Sequence, residues 1–517
     1  MGPASCRSPQ RVGRHALVTD VGQMGRGGGL NVVGAAFNQG SLFVIMVLLA
    51  WGTSGADVGR YAMCYALLTI LSLMSLGGLR ATLTRFVAMR LADADPGAVR
   101  GTIRLGMGVA LAFSLVTAAL LALASQWVAD QLQEPGLRAG VLLVALALVP
   151  FTLEGGALAA TQGWRSQRAF TLIGSIIHPG LRLALTALAM WQGWGLTGAL
   201  WSIVAASWVG AILSLAALAG RLRRVERATP TYDPRPMASF AAISWLSTLA
   251  TTGLVWADTL ILGYLASAED VGIYTVATRL VSLAIFVLNP INSAFVPHVA
   301  HLYHLGDRDG VAQVLGAANR WIMRLSVPAF VLLLVFPEQL LSLFGSGYQS
   351  AAAVTIILAL GQLANAAAGP CGSVLNMTGR VKVSLADNVA ALVINVVLNF
   401  VLIPRYGVVG SAIAWTASLV LVNLAKWIQV RRLVGIRARG TALASTLLAA
   451  LPAAAVAVAF GLLLEGPIRT LLIAGPCVVA IYVGVLLAKG LEPDDRQLVA
   501  GLVAKLRRRP SGRARSG

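Results

Sequence analysis

An all-α, polytopic membrane protein is what this sequence predicts, and three observations predict it. Hydrophobic residues fill 57% of the 517 positions and charged ones only 12%, against roughly 25% charged in soluble domains. Apolar runs of about 20 residues, the length that crosses a bilayer, recur from end to end. A five-residue motif, Asp57-Val58-Gly59-Arg60-Tyr61, returns 213 positions later as Asp270-Val271-Gly272-Ile273-Tyr274. Lipid cannot satisfy backbone amides, so each run must be helical; a barrel would show alternating strands of about ten residues instead.

Fourteen runs follow in order. The first six are Leu30 to Trp51, Tyr61 to Leu79, Thr102 to Ala124, Ala139 to Ala160, Ala169 to Trp191 and Leu196 to Ala219. The next six are Ala238 to Ala266, Val271 to Val296, Trp321 to Phe344, Ala351 to Leu375, Val383 to Ile403 and Val408 to Val430. Thr441 to Leu464 and Thr470 to Ala488 stand outside the repeat. Asn38-Gln39-Gly40 is expected to interrupt the first helix, and Gly369-Pro370 the tenth, as hinges or breaks beside a cavity.

Three further anchors support a duplication over chance matches in an Ala/Gly-rich chain. Ile103-Arg104-Leu105 answers Met323-Arg324-Leu325, Gln162-Gly163 answers Thr378-Gly379, and Trp194-Gly195-Leu196-Thr197-Gly198 answers Tyr406-Gly407-Val408-Val409-Gly410. The expected organisation is a cytoplasmic segment 1–29, an N-lobe 30–220, a basic linker 221–237, a C-lobe 238–430, two extra helices within 431–488 and a basic tail 489–517. Repeated halves are a common plan of alternating-access transporters, with the substrate site where they meet.

Charge tests this count independently, since Lys and Arg collect on the cytoplasmic side. With the N-terminus inside, 34 of the 40 basic residues fall inside, and only Arg60, Arg138, Arg405 and Arg469 outside. Arg182 and Arg279 lie within helices. The net charge of +20 thus reflects orientation and anionic lipid rather than nucleic acid, and the Lys505 to Arg515 stretch reads as a solvated, lipid-facing tail. No cleavable signal peptide is apparent ahead of the first run.

Several chemistries are disfavoured. Cys6, Cys64, Cys371 and Cys477 lack metal or disulfide spacing and read as small fillers. His298, His301 and His304 cannot share one helix face, so an amphipathic connector is expected there and no metal site. Gly27-Gly28-Gly29 lacks the Lys-Ser/Thr of a phosphate loop. Outer loops are too short for an ordered catalytic site, so no enzyme and no cofactor are expected, coupling to H+ or Na+ aside.

Ionisable groups inside helices are costly and therefore functional by default. They are Glu154, His178, Arg182, Asp258, Arg279, Glu338 and Asp387. At about 1.5 Å per residue, Arg182 lies roughly 20 Å from the inner end of its helix, while Arg279 and Asp258 lie roughly 12 Å below the outer end. Glu154 is roughly 9 Å above the inner end. Asp258 with Arg279 is open to mutual pairing across a short turn or to service in a hydrated lumen; Arg182 has no acid on its own helix. His178, followed by Pro179, reads as a hydrogen-bonded residue at a kink.

The six-plus-six-plus-two plan, with Asp258-Thr259-Leu260-Ile261-Leu262-Gly263, the stretch Asp270 to Leu280, Asn376-Met377-Thr378-Gly379-Arg380 and Ile403-Pro404-Arg405-Tyr406-Gly407, resembles the polysaccharide-transporter branch of the multidrug/oligosaccharidyl-lipid/polysaccharide exporter superfamily. The resemblance implies an inner-membrane flippase for undecaprenyl-pyrophosphate-linked oligosaccharide of O-antigen, capsule or exopolysaccharide, with both termini cytoplasmic. Membrane lipids, a polysaccharide polymerase and glycosyltransferases are its implied partners. Arg279 and Arg182 would meet the diphosphate, Arg being suited to forked phosphate contacts. Asp258 and Glu154 are candidates for coupling or the lumen, and Asn38, Gln39, Tyr274 and Pro370 for hinges or lumen polarity. A cation-coupled multidrug exporter, a lipid II flippase and a membrane scaffold for glycan enzymes are the alternatives. The first helix carries Asn38 and Gln39 where lipid II flippases place arginines in their amino-terminal helices, which weighs against a peptidoglycan precursor.

Overall fold

The computed structural model describes residues 12–285, 288–436 and 441–488. The basic tail 489–517 and Cys6 lie outside the described residues. Eleven helices among those described are long and apolar enough to cross a membrane, so the chain is an all-helical, multi-pass membrane protein.

The first half runs α1 (Val12–Gly52), α2 (Gly55–Leu76), α3 (Leu79–Ala92), α4 (Pro96–Leu123), α5 (Ser125–Gln131), α6 (Arg138–Gln162), a π-helical segment (Phe170–Ile177) leading into α7 (His178–Trp191), and α8 (Gly195–Leu222). The second half runs α9 (Pro234–Leu265), α10 (Ala268–Ala284), α11 (Leu288–His304), α12 (Arg308–Val335), α13 (Pro337–Leu341), α14 (Ala352–Ala368), α15 (Cys371–Met377) and α16 (Val381–Gln429). Then come α17 (Thr441–Leu463) and α18 (Pro467–Ala488), which pack on α12 through Ala449, Ala453, Ala457 and Tyr482.

Fourteen predicted runs become eleven candidate spans for local reasons. The eleventh and twelfth runs merge in α16, which is broken at Gly407, where φ 56° and ψ −135° suit glycine and not a residue with a Cβ. The eighth run does not continue to Val296 as one helix: α10 ends at Ala284 and α11 begins at Leu288. The described apolar part of the thirteenth covers only Leu448–Leu463. The ninth is displaced, since the helix starts at Arg308 and stops at Val335 before Pro337, whose ring cannot continue it.

The two expected helix breaks divide. Gly369 takes φ 68° and Pro370 caps the start of α15, so the tenth run does break. Asn38-Gln39-Gly40 does not break α1, which is continuous from Val12 to Gly52. Asn38 and Gln39 keep their amide hydrogen bonds within the ladder, since neither side chain nor Gly40 removes a backbone donor.

The repeated motif is where the two halves touch. Its glycines face each other across α2 and α10: a Cβ on Gly59 would collide with the carbonyl of Ala268, and one on Gly272 with the carbonyl of Gly55. Small residues let helix backbones approach this closely in lipid, where dispersion and weak polar contacts replace the hydrophobic effect. The same end is fastened by Trp51 Nε1 donating to Leu343 O at 2.9 Å, Gln133 Nε2 to Tyr264 O at 3.2 Å, and Phe43 edge-on to Phe344 at 5.2 Å. Charge placement predicts this as the outer end.

At the opposite end α3 holds α9: Arg85 lies 4.5 Å over the Phe240 ring, Phe86 meets the same ring at 6.1 Å, and Arg90 pairs with Asp233 at 3.1 Å. The basic linker is strapped down there, Thr231 N donating to Gly97 O and Arg100 to the carbonyls of Leu222, the last residue of α8, and of Val225 and Glu226 just beyond it.

Candidate functional site

Helix α7 carries Arg182 on an unusual footing. The π-helical segment before it closes with His178 N–H on Ile173 O, and Pro179 sits in the first turn of α7. Proline has no N–H and crowds the carbonyl four residues back, and the wider turn absorbs both defects; such insertions recur at functional sites. The result points Arg182 into the protein at 2% exposure.

Among the described residues Arg182 meets aromatics and no acid. Its Nε donates to Tyr61 Oη at 3.0 Å, and its Cζ lies 4.2 Å from the Tyr65 ring centre. Tyr65 is edge-on to Trp256 of α9 at 5.5 Å, and Arg279 of α10 lies 5.3 Å from the Trp256 ring centre. Two cations, one from each half, are thus joined through a Tyr-Trp pair. Each cation–π contact is worth about 0.5–2 kcal/mol, the upper figure when water is excluded, and none neutralises the charge. One terminal nitrogen of Arg182 is buried with no hydrogen-bond partner. The two guanidinium groups bring like charge to the same Tyr65–Trp256 pair. An anion with forked oxygens would satisfy the nitrogen and relieve the repulsion together.

Pairing of Asp258 with Arg279, one of the two readings the sequence leaves open, is not formed. The Asp258 carboxylate, 1% exposed, accepts from Tyr274 Oη at 2.9 Å, Asn395 Nδ2 at 2.9 Å and Asn399 Nδ2 at 2.6 Å. Three neutral donors stabilise the anion without a cation, so Arg279 is left to Trp256. The Oδ1 atoms of Asn395 and Asn399 have no hydrogen-bond partner, so carboxylate and amide oxygens together offer the hard ligand type that suits an alkali or alkaline-earth cation.

Glu154 and His178 meet at 2.7 Å between Oε2 and Nδ1, both buried, with Gly210 packed on the carboxylate and Phe151 edge-on to the imidazole at 5.9 Å. Glu154 is therefore committed to a partner in its own half, and His178 is the hydrogen-bonded residue at a kink that its proline neighbour suggests. Asp387 accepts from Gln429 at 2.7 Å, and Glu338 is exposed in the first turn of α13. Asn38 and Gln39 are half-buried on α1, and Pro370 is buried ahead of α15. Tyr274 belongs to the Asp258 network. The three histidines lie on α11, whose Phe295 and Val299 pack into an apolar cluster with α12 and α15. Among the described residues no group of three or more His, Cys, Asp or Glu is placed to hold a metal, and Cys64, Cys371 and Cys477 are free.

Sequence reasoning passed over Tyr61, Tyr65, Trp256, Asn395 and Asn399. Two of them carried a usable signal: Tyr61 and Tyr274 are the same position of the repeat, and Arg182 and Asn395 are also 213 apart.

The profile of the family described as polysaccharide biosynthesis protein matches residues 24–302, and that of the MatE family matches residues 244–401. Among curated proteins, the chain is similar to a probable low-salt glycan biosynthesis flippase of Haloferax volcanii, 26% identical over 187 residues, 36% of this chain and 40% of the relative. It is also similar to a probable flippase of the same organism, 29% identical over 191 residues, 35% of this chain and 39% of the relative. The matches thus span about two fifths of those proteins. Among solved structures, lipid II flippase MurJ in an inward closed conformation superposes with a TM-score of 0.72 at 12% identity, covering 88% of this chain and 98% of that one. An inward-facing multidrug resistance MATE family transporter gives 0.61 at 14% identity, covering 76% and 94%. At these identities the likeness is one of fold.

Proposed function

The chain belongs to the polysaccharide biosynthesis protein family, and from that membership we propose that it is a flippase, not an enzyme, which moves a diphosphate-linked polyprenyl oligosaccharide from the cytoplasmic to the outer leaflet. The observation that carries the reading is the pair Arg182 and Arg279, buried and half-buried, linked through Tyr65 and Trp256, and countered by no carboxylate in direct contact among the described residues. A diphosphate supplies the missing charge, and two arginines on two halves let one bound anion report to both.

The lobes are those of the sequence: residues 30–220 and 238–430, each of six spans, joined by the linker 221–237 and followed by two further spans, fourteen in all. Both termini face the cytoplasm in the bacterial inner membrane, the basic ends favouring that side. The Gly59–Gly272 crossing then seals the outer side, and rocking of the lobes opens it. Helices α17 and α18 frame a lateral groove for the polyprenyl tail. Asp258 with Asn395 and Asn399 holds the coupling H+ or Na+. A polysaccharide polymerase and glycosyltransferases are the partners that would consume and supply the cargo.

The test is lipid-linked oligosaccharide in the cytoplasmic leaflet of a deletion strain, complemented by wild type, Arg182→Ala or Arg279→Ala at equal membrane abundance. Accumulation reversed by wild type alone is the expected result; full reversal by the double variant would remove the arginines from the mechanism. The match to the MatE family over residues 244–401 favours one second reading, a cation-coupled drug exporter, which predicts altered drug sensitivity in the same strain and no accumulation.

A further inference from the structure

A cavity of about 440 Å³ lies at the expected outer end, beyond the Gly59–Gly272 crossing, and both halves build it. Trp51 comes from the last turn of α1, Thr53 from the link to α2, Gly55 from the start of α2, Glu269 from the first turn of α10, and Phe344 and Tyr348 from the segment between α13 and α14. The volume falls in the roughly 300–1,000 Å³ range of small-ligand sites.

Its lining is prepared for a ligand in three ways. The Trp51 ring is 69% exposed yet fixed, because its Nε1 donates to Leu343 O at 2.9 Å; an aromatic face held in one orientation loses no rotamer freedom on binding. Tyr348 is 6% exposed, packs edge-on to Phe344 at 6.5 Å, and its hydroxyl is buried without a hydrogen-bond partner. A buried phenol left unpaired costs on the order of 1–3 kcal/mol, which a ligand hydroxyl would recover. Glu269 is exposed and makes no ion pair among the described residues, and Gly55 leaves room beside it: a Cβ there would meet Glu269 Cγ at 3.5 Å and Tyr348 Oη at 3.9 Å.

From this arrangement we infer that the cavity is a carbohydrate subsite for one or two uncharged or amino sugars. A sugar ring has an apolar C–H face for Trp51 and paired hydroxyls for a carboxylate and a phenol, whereas an acidic sugar or a diphosphate is repelled by Glu269. The assignment rests on the flippase reading for the source of the sugar, not for the chemistry of the cavity. Glu269 is ten residues before Arg279 on α10, roughly 15 Å along the axis, so a glycan whose diphosphate sits at Arg279 reaches the cavity with its distal sugars once the outer seal opens.

The experiment is saturation-transfer NMR on the full-length protein in nanodiscs of phosphatidylethanolamine and phosphatidylglycerol, with cellobiose and cellobiouronic acid as probes. Transfer to cellobiose and weaker transfer to the acid are expected. Trp51→Ala should weaken cellobiose binding about tenfold. Tyr348→Phe, which preserves the ring packing, should weaken it about fivefold. Arg279→Ala should lose export and keep the sugar signal. No transfer to cellobiose, transfer insensitive to both cavity variants, or saturation on the phosphatidylglycerol headgroup alone would overturn the assignment. The two readings fail separately: relieved glycolipid accumulation without sugar binding defeats the cavity, while sugar binding sensitive to Trp51 without relief defeats the flippase and sustains the cavity.

Discussion

Tyr61 and Tyr274 occupy the same place in the two halves, 213 positions apart, and they serve opposite charges. Tyr61 accepts from the guanidinium of Arg182; Tyr274 donates to the carboxylate of Asp258. The positions 213 apart from the two ions complete the contrast, since Asn395 stands opposite Arg182 and Ile45 opposite Asp258. A phenol is both donor and acceptor, so one duplicated scaffold accommodated a cation in one half and an anion in the other without moving the tyrosine. The first half presents an unsatisfied positive nitrogen, and the second a carboxylate already surrounded by donors.

That contrast can be broken in steps of decreasing effect. Arg182→Ala with Arg279→Ala should abolish export in the complementation assay, each single change costing about 1.5–3 kcal/mol of anion binding, or roughly ten- to a hundredfold. Gly59→Leu should separate the halves by driving a side chain into the Ala268 carbonyl, lowering stability by about 1–3 kcal/mol and raising labelling of a cysteine placed in the lumen. Asp258→Asn replaces an acceptor with a mixed amide facing two asparagine donors; a cost of about 1–3 kcal/mol and loss of ion dependence should follow, measured by thermal unfolding with and without Na+ and by transport against an imposed gradient. Tyr61→Phe and Tyr274→Phe should be smallest, about 0.6 kcal/mol for one hydrogen bond in lipid, the former weakening pyrophosphate binding and the latter ion dependence. Equal effects of both on both readouts would mean that the halves are not specialised.

Much of this was legible beforehand because lipid imposes simple rules. The apolar run from Leu30 to Trp51 became the span Asn31–Gly52 at the end of the longer α1, and the run from Leu196 to Ala219 became α8, each shifted by one to three residues. Gly369-Pro370 marked a true break, since Gly369 tolerates φ 68° and Pro370 cannot continue a helix. Asn38-Gln39-Gly40 misled, because polar side chains and one glycine leave the backbone ladder intact. Arg182, Arg279 and Asp258 were visible as charges out of place.

What the residues by themselves determined, then, was the all-helical membrane class and the order of the spans, because each depends on local composition along about 20 residues. Only the tertiary structure decided the partners. Asp258 and Arg279 are near in sequence and opposite in charge, yet Asn395 and Asn399, arriving on α16 from more than 130 positions away, take the carboxylate first. Trp256 on α9 and Tyr65 on α2 join arginines of different halves. Contacts between distant helices are fixed by how their faces pack, and no window of sequence contains both faces.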